Sequence, residues 1–245
     1  MGDLIRLDVR PGTSIAVRHR AGIGPTLLFL PGYLSDMAGS KAVAVDRWCA
    51  ERGRACVRFD YSGCGESGGD VSRATLAHWR DEVLALIDWI DGPVLIVGSS
   101  MGGWIMLLAA LARPDRVCGL IGIAAAPDFT DWGFTPAQKD EIRARGFVEE
   151  PNPYGPEPTV TTRAFWESGE ANRLLHGQVA IDCPVRLLHG TADPDVPWQL
   201  SPRLSDALRS ADVQTILIKD GDHRLSRPED IGLLLGTIEA MLESA

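Results

Sequence analysis

Val94-Leu95-Ile96-Val97-Gly98-Ser99-Ser100-Met101-Gly102-Gly103 joins a continuous apolar run to a G-x-S-x-G turn and a stretch of small residues. A short apolar run closed by such a turn reads as a buried strand. The small residues behind it open a helix. In that context the motif describes a nucleophile elbow, a strand-to-helix turn that lifts a serine hydroxyl, here that of Ser100, to the top of a parallel sheet. Gly98 and Gly102 suit the close approach of strand and helix. The five-residue pattern alone also fits an ordinary Gly/Ser turn, so the rest of the chain decides between the two.

Upstream of the elbow, residues 3–9 and 14–19 form a hairpin about Pro11-Gly12. Thr26-Leu27-Leu28-Phe29-Leu30 is a buried strand closed by Pro31-Gly32, and residues 38–52 have helical spacing. Arg54 to Asp60 is a strand that ends in a Gly-rich loop. Residues 74–90 place Leu76, Trp79, Val83, Leu86, Ile87 and Ile90 on one helical face. Downstream, the elbow helix ends near Arg113-Pro114 and Val117 to Ala124 is another apolar strand. Strand, helix, strand and helix then follow at 185–189, 198–210, 213–218 and 228–243. This alternation predicts an α/β fold, a mostly parallel sheet of about eight strands covered by helices on both faces.

Residues 127–180 break the rhythm. Six prolines fall there, with Trp132, Phe134, Tyr154, Phe165 and Trp166. No strand fits, and two short helices do, near 136–146 and 159–175. The organisation expected is a single α/β core from 1–126 and 181–245, carrying residues 127–180 as a lid insertion.

The chain has 245 residues, 45% of them hydrophobic and 23% charged, with a net charge of −9. That suits one soluble domain and argues against nucleic-acid partners, which need clustered Lys and Arg. No apolar run is long enough for a membrane span. Five cysteines at scattered spacings, an odd number without C-x-x-C, read as reduced thiols rather than a disulfide framework. The N-terminus shows no signal-peptide core, and Arg6 stands where a myristoylation motif wants Ser or Thr. A cytoplasmic location is the resulting expectation. The five histidines lack paired ligand spacing, so no metal is expected. The Gly-rich loop after Asp60, with Gly12, Gly22 and Gly24, invites a nucleotide reading, but no G-x-G-x-x-G follows a strand into a helix and no P-loop Lys-Ser/Thr appears, so no nucleotide cofactor is implied.

A serine hydroxyl needs a base, and the base is commonly a histidine held by a carboxylate. On this class of fold the chain order is Ser, acid, His. The strand at 185–189 runs into G-T-A-D-P-D-V-P, where Asp193 is the favoured acid and Asp195 the runner-up, the latter suiting a helix cap. The strand at 213–218 runs into K-D-G-D-H-R, which makes His223 the base. His189 is the rival base, read as support for the acid loop. Asp60 precedes Ser100 and reads as a loop cap. The oxyanion donors are the backbone N–H groups of Met101 and of Tyr33, with Leu34 as the alternative to Tyr33. Trp104, Trp132, Phe134 and Trp166 are candidates for a substrate pocket, and packing of the lid on the core is the competing reading.

Five blocks, L-P-G-Y-L-S-D-M-A-G-S-K-A, R-F-D-Y-S-G-C-G-E-S, V-G-S-S-M-G-G-W-I-M-L, C-P-V-R-L-L-H-G-T-A-D-P-D-V-P-W and G-D-H-R-L, resemble the α/β-hydrolase superfamily over nearly the whole chain. Within it they are similar to the branch of the mitochondrial palmitoyl-protein thioesterases, also described as acyl-glucuronide esterases. The resemblance implies a serine hydrolase of esters or thioesters, with its serine, aspartate and histidine falling on Ser100, Asp193 and His223. It implies a small-molecule or acylated substrate and no cofactor. Acyl transfer on the same triad is the alternative. A non-catalytic binding protein on this fold is a further one, although such proteins commonly lack a triad member and all three are present here.

Overall fold

The computed structural model describes residues 2–152 and 155–243, so Tyr154 lies outside the described residues. The first strands, β1 (Asp3–Arg10) and β2 (Thr13–Arg20), form the expected antiparallel hairpin. Then come β3 (Ile23–Leu30), α1 (Ser40–Arg52), β4 (Arg54–Phe59), a 3₁₀ turn at Val71–Arg73 and α2 (Leu76–Trp89). The elbow region is β5 (Val94–Ser99) followed by α3 (Met101–Ala112), and β6 (Val117–Ile123) succeeds it.

Between β6 and the next strand of the sheet lie α4 (Phe129–Trp132), α5 (Pro136–Arg145), β7 (Phe147–Glu150), β8 (Thr159–Thr162) and α6 (Arg163–Glu170). The chain closes with β9 (Val185–Gly190), α7 (Leu200–Ala207), β10 (Val213–Ile218) and α8 (Pro228–Glu243).

The main sheet has eight strands in the order β1-β2-β4-β3-β5-β6-β9-β10. β2 pairs antiparallel with β1 and β4, and every other neighbouring pair is parallel. The fold is therefore the α/β-hydrolase architecture. Its central strands read as unbroken apolar runs because both faces are covered. Leu28 and Leu30 of β3 join the core under α2 and α3, while Leu27 and Phe29 join the one under α1 and α8.

Two expectations about 127–180 need correction. A two-stranded antiparallel sheet, β7 with β8, exists where no strand was expected. Its strands are four residues each, too short to show a period and set among prolines. The helix expected over 159–175 is confined to α6, because Thr159–Thr162 is β8. Thr162 instead caps α6, its hydroxyl accepting the Phe165 N–H at 3.2 Å. At α5 the signals were plain: Thr135 and Gln138 form a capping box, Pro136 starts the helix and Gly146 ends it.

Candidate active site

The elbow is built by steric exclusion. A Cβ on Gly98 would lie 2.5 Å from the Gly102 carbonyl oxygen, and one on Gly102 would lie 2.3 Å from that of Leu30. Only glycine lets α3 leave β5 at that distance. The turn is completed at Ser100, whose φ of 54° and ψ of −119° are strained for a side-chain-bearing residue. The surroundings fix this geometry. Ser100 N–H donates to Ile123 O at 2.9 Å, and its carbonyl accepts from Gly103 at 2.9 Å and Ala126 at 3.1 Å.

Ser100 and His223 line one cavity of about 660 Å³ at the ends of the parallel strands, a size within the range of small-molecule sites. His223 Nδ1 meets Asp193 Oδ2 at 2.8 Å. The other carboxylate oxygen of Asp193 accepts the N–H groups of Asp195 at 2.8 Å and Val196 at 2.9 Å. Burial pushes the Asp193 carboxyl up. The hydrogen bonds from His189 and His223 outweigh that and hold it well below the ordinary carboxylate range.

His189 is fully buried and lies 3.2 Å through Nε2 from Asp193 Oδ2. The same Nε2 lies 3.1 Å from Val196 O, an acceptor only, so Nε2 carries a proton. Nδ1 meets the Ser201 hydroxyl at 2.7 Å. With both nitrogens occupied, His189 has no lone pair to offer a substrate. Asp195 lines the cavity beside His223. Asp60 caps its loop, accepting the N–H groups of Met37 at 2.6 Å and Glu66 at 2.7 Å.

Met101 begins α3, so its N–H is one of the four a helix leaves without an intrahelical partner. The loop after β3 closes on the serine: a Cβ on Gly32 would sit 3.4 Å from Ser100 Cβ. Tyr33 follows Gly32, and both Tyr33 and Leu34 line the cavity. Leu34 itself has a φ of 55°. The Tyr33 phenol donates to Val160 O of β8 at 3.0 Å, and burial pushes it up to about 12.

Of the four pocket candidates, Trp132 and Phe134 line the cavity. Trp104 and Trp166 do not, and their indoles tie the 127–180 stretch together and to the core. Trp104 Nε1 donates to Asn172 O at 3.2 Å, and Trp166 Nε1 to Thr130 O at 3.0 Å. Sequence reasoning missed Phe129, Lys41 and the hairpin residues Glu150, Thr159 and Thr161, which also line the cavity. They belong to a four-residue helix, a helix start and two four-residue strands, none of which carries a readable motif.

Among the described residues, the group placed to hold a metal is Asp193, Asp195 and His223. Two of those three are already bonded to one another. No helix among the described residues is long and apolar enough to cross a membrane.

A profile of the alpha/beta hydrolase family matches residues 27–231. The chain is 43% identical over 235 residues to the human protein named palmitoyl-protein thioesterase ABHD10, mitochondrial, covering 94% of this chain and 77% of that protein. The solved structure of mouse alpha/beta hydrolase domain-containing protein 10 matches with a TM-score of 0.92 at 41% identity, over 99% of each chain. A structure from Agrobacterium vitis S4 matches with a TM-score of 0.91 at 40% identity, over 99% of this chain and 98% of that one. The cytoplasmic expectation is corrected by these relatives, since the human, orangutan and mouse proteins are named mitochondrial. All five cysteines are free thiols, which does not identify a compartment.

Proposed function

The chain belongs to the alpha/beta hydrolase family, and from that membership we propose that it hydrolyses carboxylic esters and thioesters through Ser100, His223 and Asp193. The observation that carries the reading is the 2.8 Å contact of His223 Nδ1 with Asp193, opening on the cavity that Ser100 enters from a strained elbow. Asp193 fixes the Nδ1–H tautomer, which leaves Nε2 of His223 as the base.

Ser100 Oγ attacks the acyl carbonyl as His223 takes its proton. The N–H groups of Met101 and Tyr33 receive the oxyanion, assisted by the N-terminal dipole of α3. The carbon–oxygen or carbon–sulfur bond breaks, and His223 returns the proton to the leaving oxygen or sulfur. Water then gives its proton to His223 and attacks the acyl-serine, and the serine hydroxyl is regenerated with release of the acid. No cofactor takes part in this scheme.

The acyl group lies against Phe129, Trp132 and Phe134, so residues 127–180 act as the lid over the site. An acylated protein is one candidate substrate, after the name of the human relative. Small acyl esters and thioesters fit the same chemistry. Ser100→Ala is expected to lose turnover of p-nitrophenyl esters and acyl thioesters by roughly 10⁴-fold or more. It also loses covalent labelling by a fluorophosphonate, and retained labelling would remove Ser100 from the mechanism.

A further inference from the structure

We propose that Lys41 is a positioning residue for the base: its ammonium grips the chain immediately beyond His223 and so keeps the imidazole aligned between Asp193 and Ser100. The proposal rests on the triad reading above. It concerns a residue that holds the base loop.

His223 sits in the connection from β10 to α8, and the chain just after it is awkward. Leu225 has a φ of 42°, and its N–H turns back to Asp222 Oδ1 at 2.9 Å. A leucine in that region persists where its surroundings over-determine it. Before His223, Thr191 Oγ1 accepts the Asp220 N–H at 2.9 Å, and Asp193 holds the ring. After it, the first two residues of α1 supply the hold. Lys41 Nζ donates to the Arg224 carbonyl, and Ser40 Oγ lies 3.2 Å from Ser226 Oγ. These contacts join positions more than 180 residues apart. α1 also follows the loop that carries Tyr33, whose far end Asp60 fixes through Met37 N–H at 2.6 Å. Lys41 thus ties the oxyanion side of the site to the base side.

A lysine serving only solubility would extend its ammonium into water. This one lines the catalytic cavity. Burial pushes it down to about 8, Arg224 adds to that, and Asp222 and Asp230 oppose it. The charge is retained at a cost, and a charged donor makes the stronger hydrogen bond to a carbonyl. As Lys41 loses its proton, that hold weakens.

The test uses the whole protein and p-nitrophenyl butyrate, with kcat and KM measured from about pH 6 to pH 10. Fluorophosphonate labelling rates and thermal unfolding accompany the kinetics. Lys41→Met is expected to lose roughly 10- to 100-fold in kcat and in labelling rate, with KM within about 2-fold, since a small displacement of a catalytic group acts on the chemical step. Wild type should show a decline in kcat near pH 8 that Lys41→Met lacks. Lys41→Arg should restore most of the rate and move the decline upward, a result a merely structural lysine would not give. If Lys41→Met does not fold, the pH profile of Lys41→Arg alone decides: an unmoved decline overturns the proposal. Lys41→Met matching wild type in kcat and pH profile overturns it too. Ser100→Ala and His223→Ala run alongside. Turnover surviving in them defeats the triad reading, whereas their inactivity beside a wild-type-like Lys41→Met defeats the Lys41 assignment alone.

Discussion

The carboxylate of Asp193 is the most heavily engaged group of the site. One oxygen takes two backbone N–H groups and the other faces two imidazoles. The backbone pair fixes its rotamer, so the remaining oxygen has one direction in which to meet His223. Asp195, two residues away, lends its N–H to that arrangement. The two aspartates are thereby separated by experiment. Asp193→Asn places an amide N–H or a less basic oxygen against the histidines and is expected to lower kcat about 10⁴-fold. Asp195→Asn keeps that backbone donor to Asp193 and should stay within about 10-fold of wild type. Steady-state kinetics on one ester checks both, and equal losses would mean the acid is misassigned. Ser201 stands one step further out, its hydroxyl 2.7 Å from the other ring nitrogen of His189.

Secondary structure elements meet the site through their ends, and the insertion shows this best. Asp128, just before α4, has a φ of 58°, which Asp and Asn tolerate better than other side-chain-bearing residues. Its buried carboxylate accepts the N–H groups of Leu174 and Leu175, both at 2.8 Å, and so clips the end of the 127–180 stretch to its beginning. Asp128→Ala leaves both donors unpaired and should cost about 1–3 kcal/mol in urea unfolding. With the proposed lid loosened, KM for a long-chain ester should rise more than kcat falls. Asp128→Asn, which retains a carbonyl acceptor and the backbone tolerance, should recover most of both. Unchanged stability in the alanine variant would show that the clip contributes nothing. Helix α3 illustrates the opposite case. Ten of its twelve residues are buried, so it presents no polar face and its direction is set by the glycine contacts at its start.

Across the whole molecule, four carboxylates held in or near the core fall into two sets with opposite pH behaviour. Glu82 and Asp60 are raised by burial despite the hydrogen bonds they accept. Asp46, between Arg20 and Arg58, and Asp193 are lowered because hydrogen bonds and positive neighbours outweigh burial. For a raised acid the folded state holds its proton more tightly, so stability grows as the pH falls through the folded value. For a lowered acid, stability is full above the unfolded value of about 4 and is lost as the pH drops toward the folded one. The melting temperature should therefore peak on the acidic side of neutrality and fall as the pH drops below about 4. Glu82→Gln should flatten the rise between neutrality and the peak, and a peak at or above pH 7 would contradict the assignment of the raised set. The same division between local and long-range causes governs what could be read in advance. The apolar runs at 26–30, 94–97 and 117–123, the G-x-S-x-G turn and the order of Ser100, Asp193 and His223 determined the parallel sheet and the choice of triad candidates, because each depends on residues near one another in the chain. The short pair β7–β8, the withdrawal of Trp104 and Trp166 from the cavity, the second imidazole on Asp193 and the grip of Lys41 on the Arg224 carbonyl were decided by tertiary structure. Each is a contact between distant segments, formed only when the sheet brings their ends together, and a lysine or tryptophan has the same local pattern whether it meets water, a carbonyl or another ring.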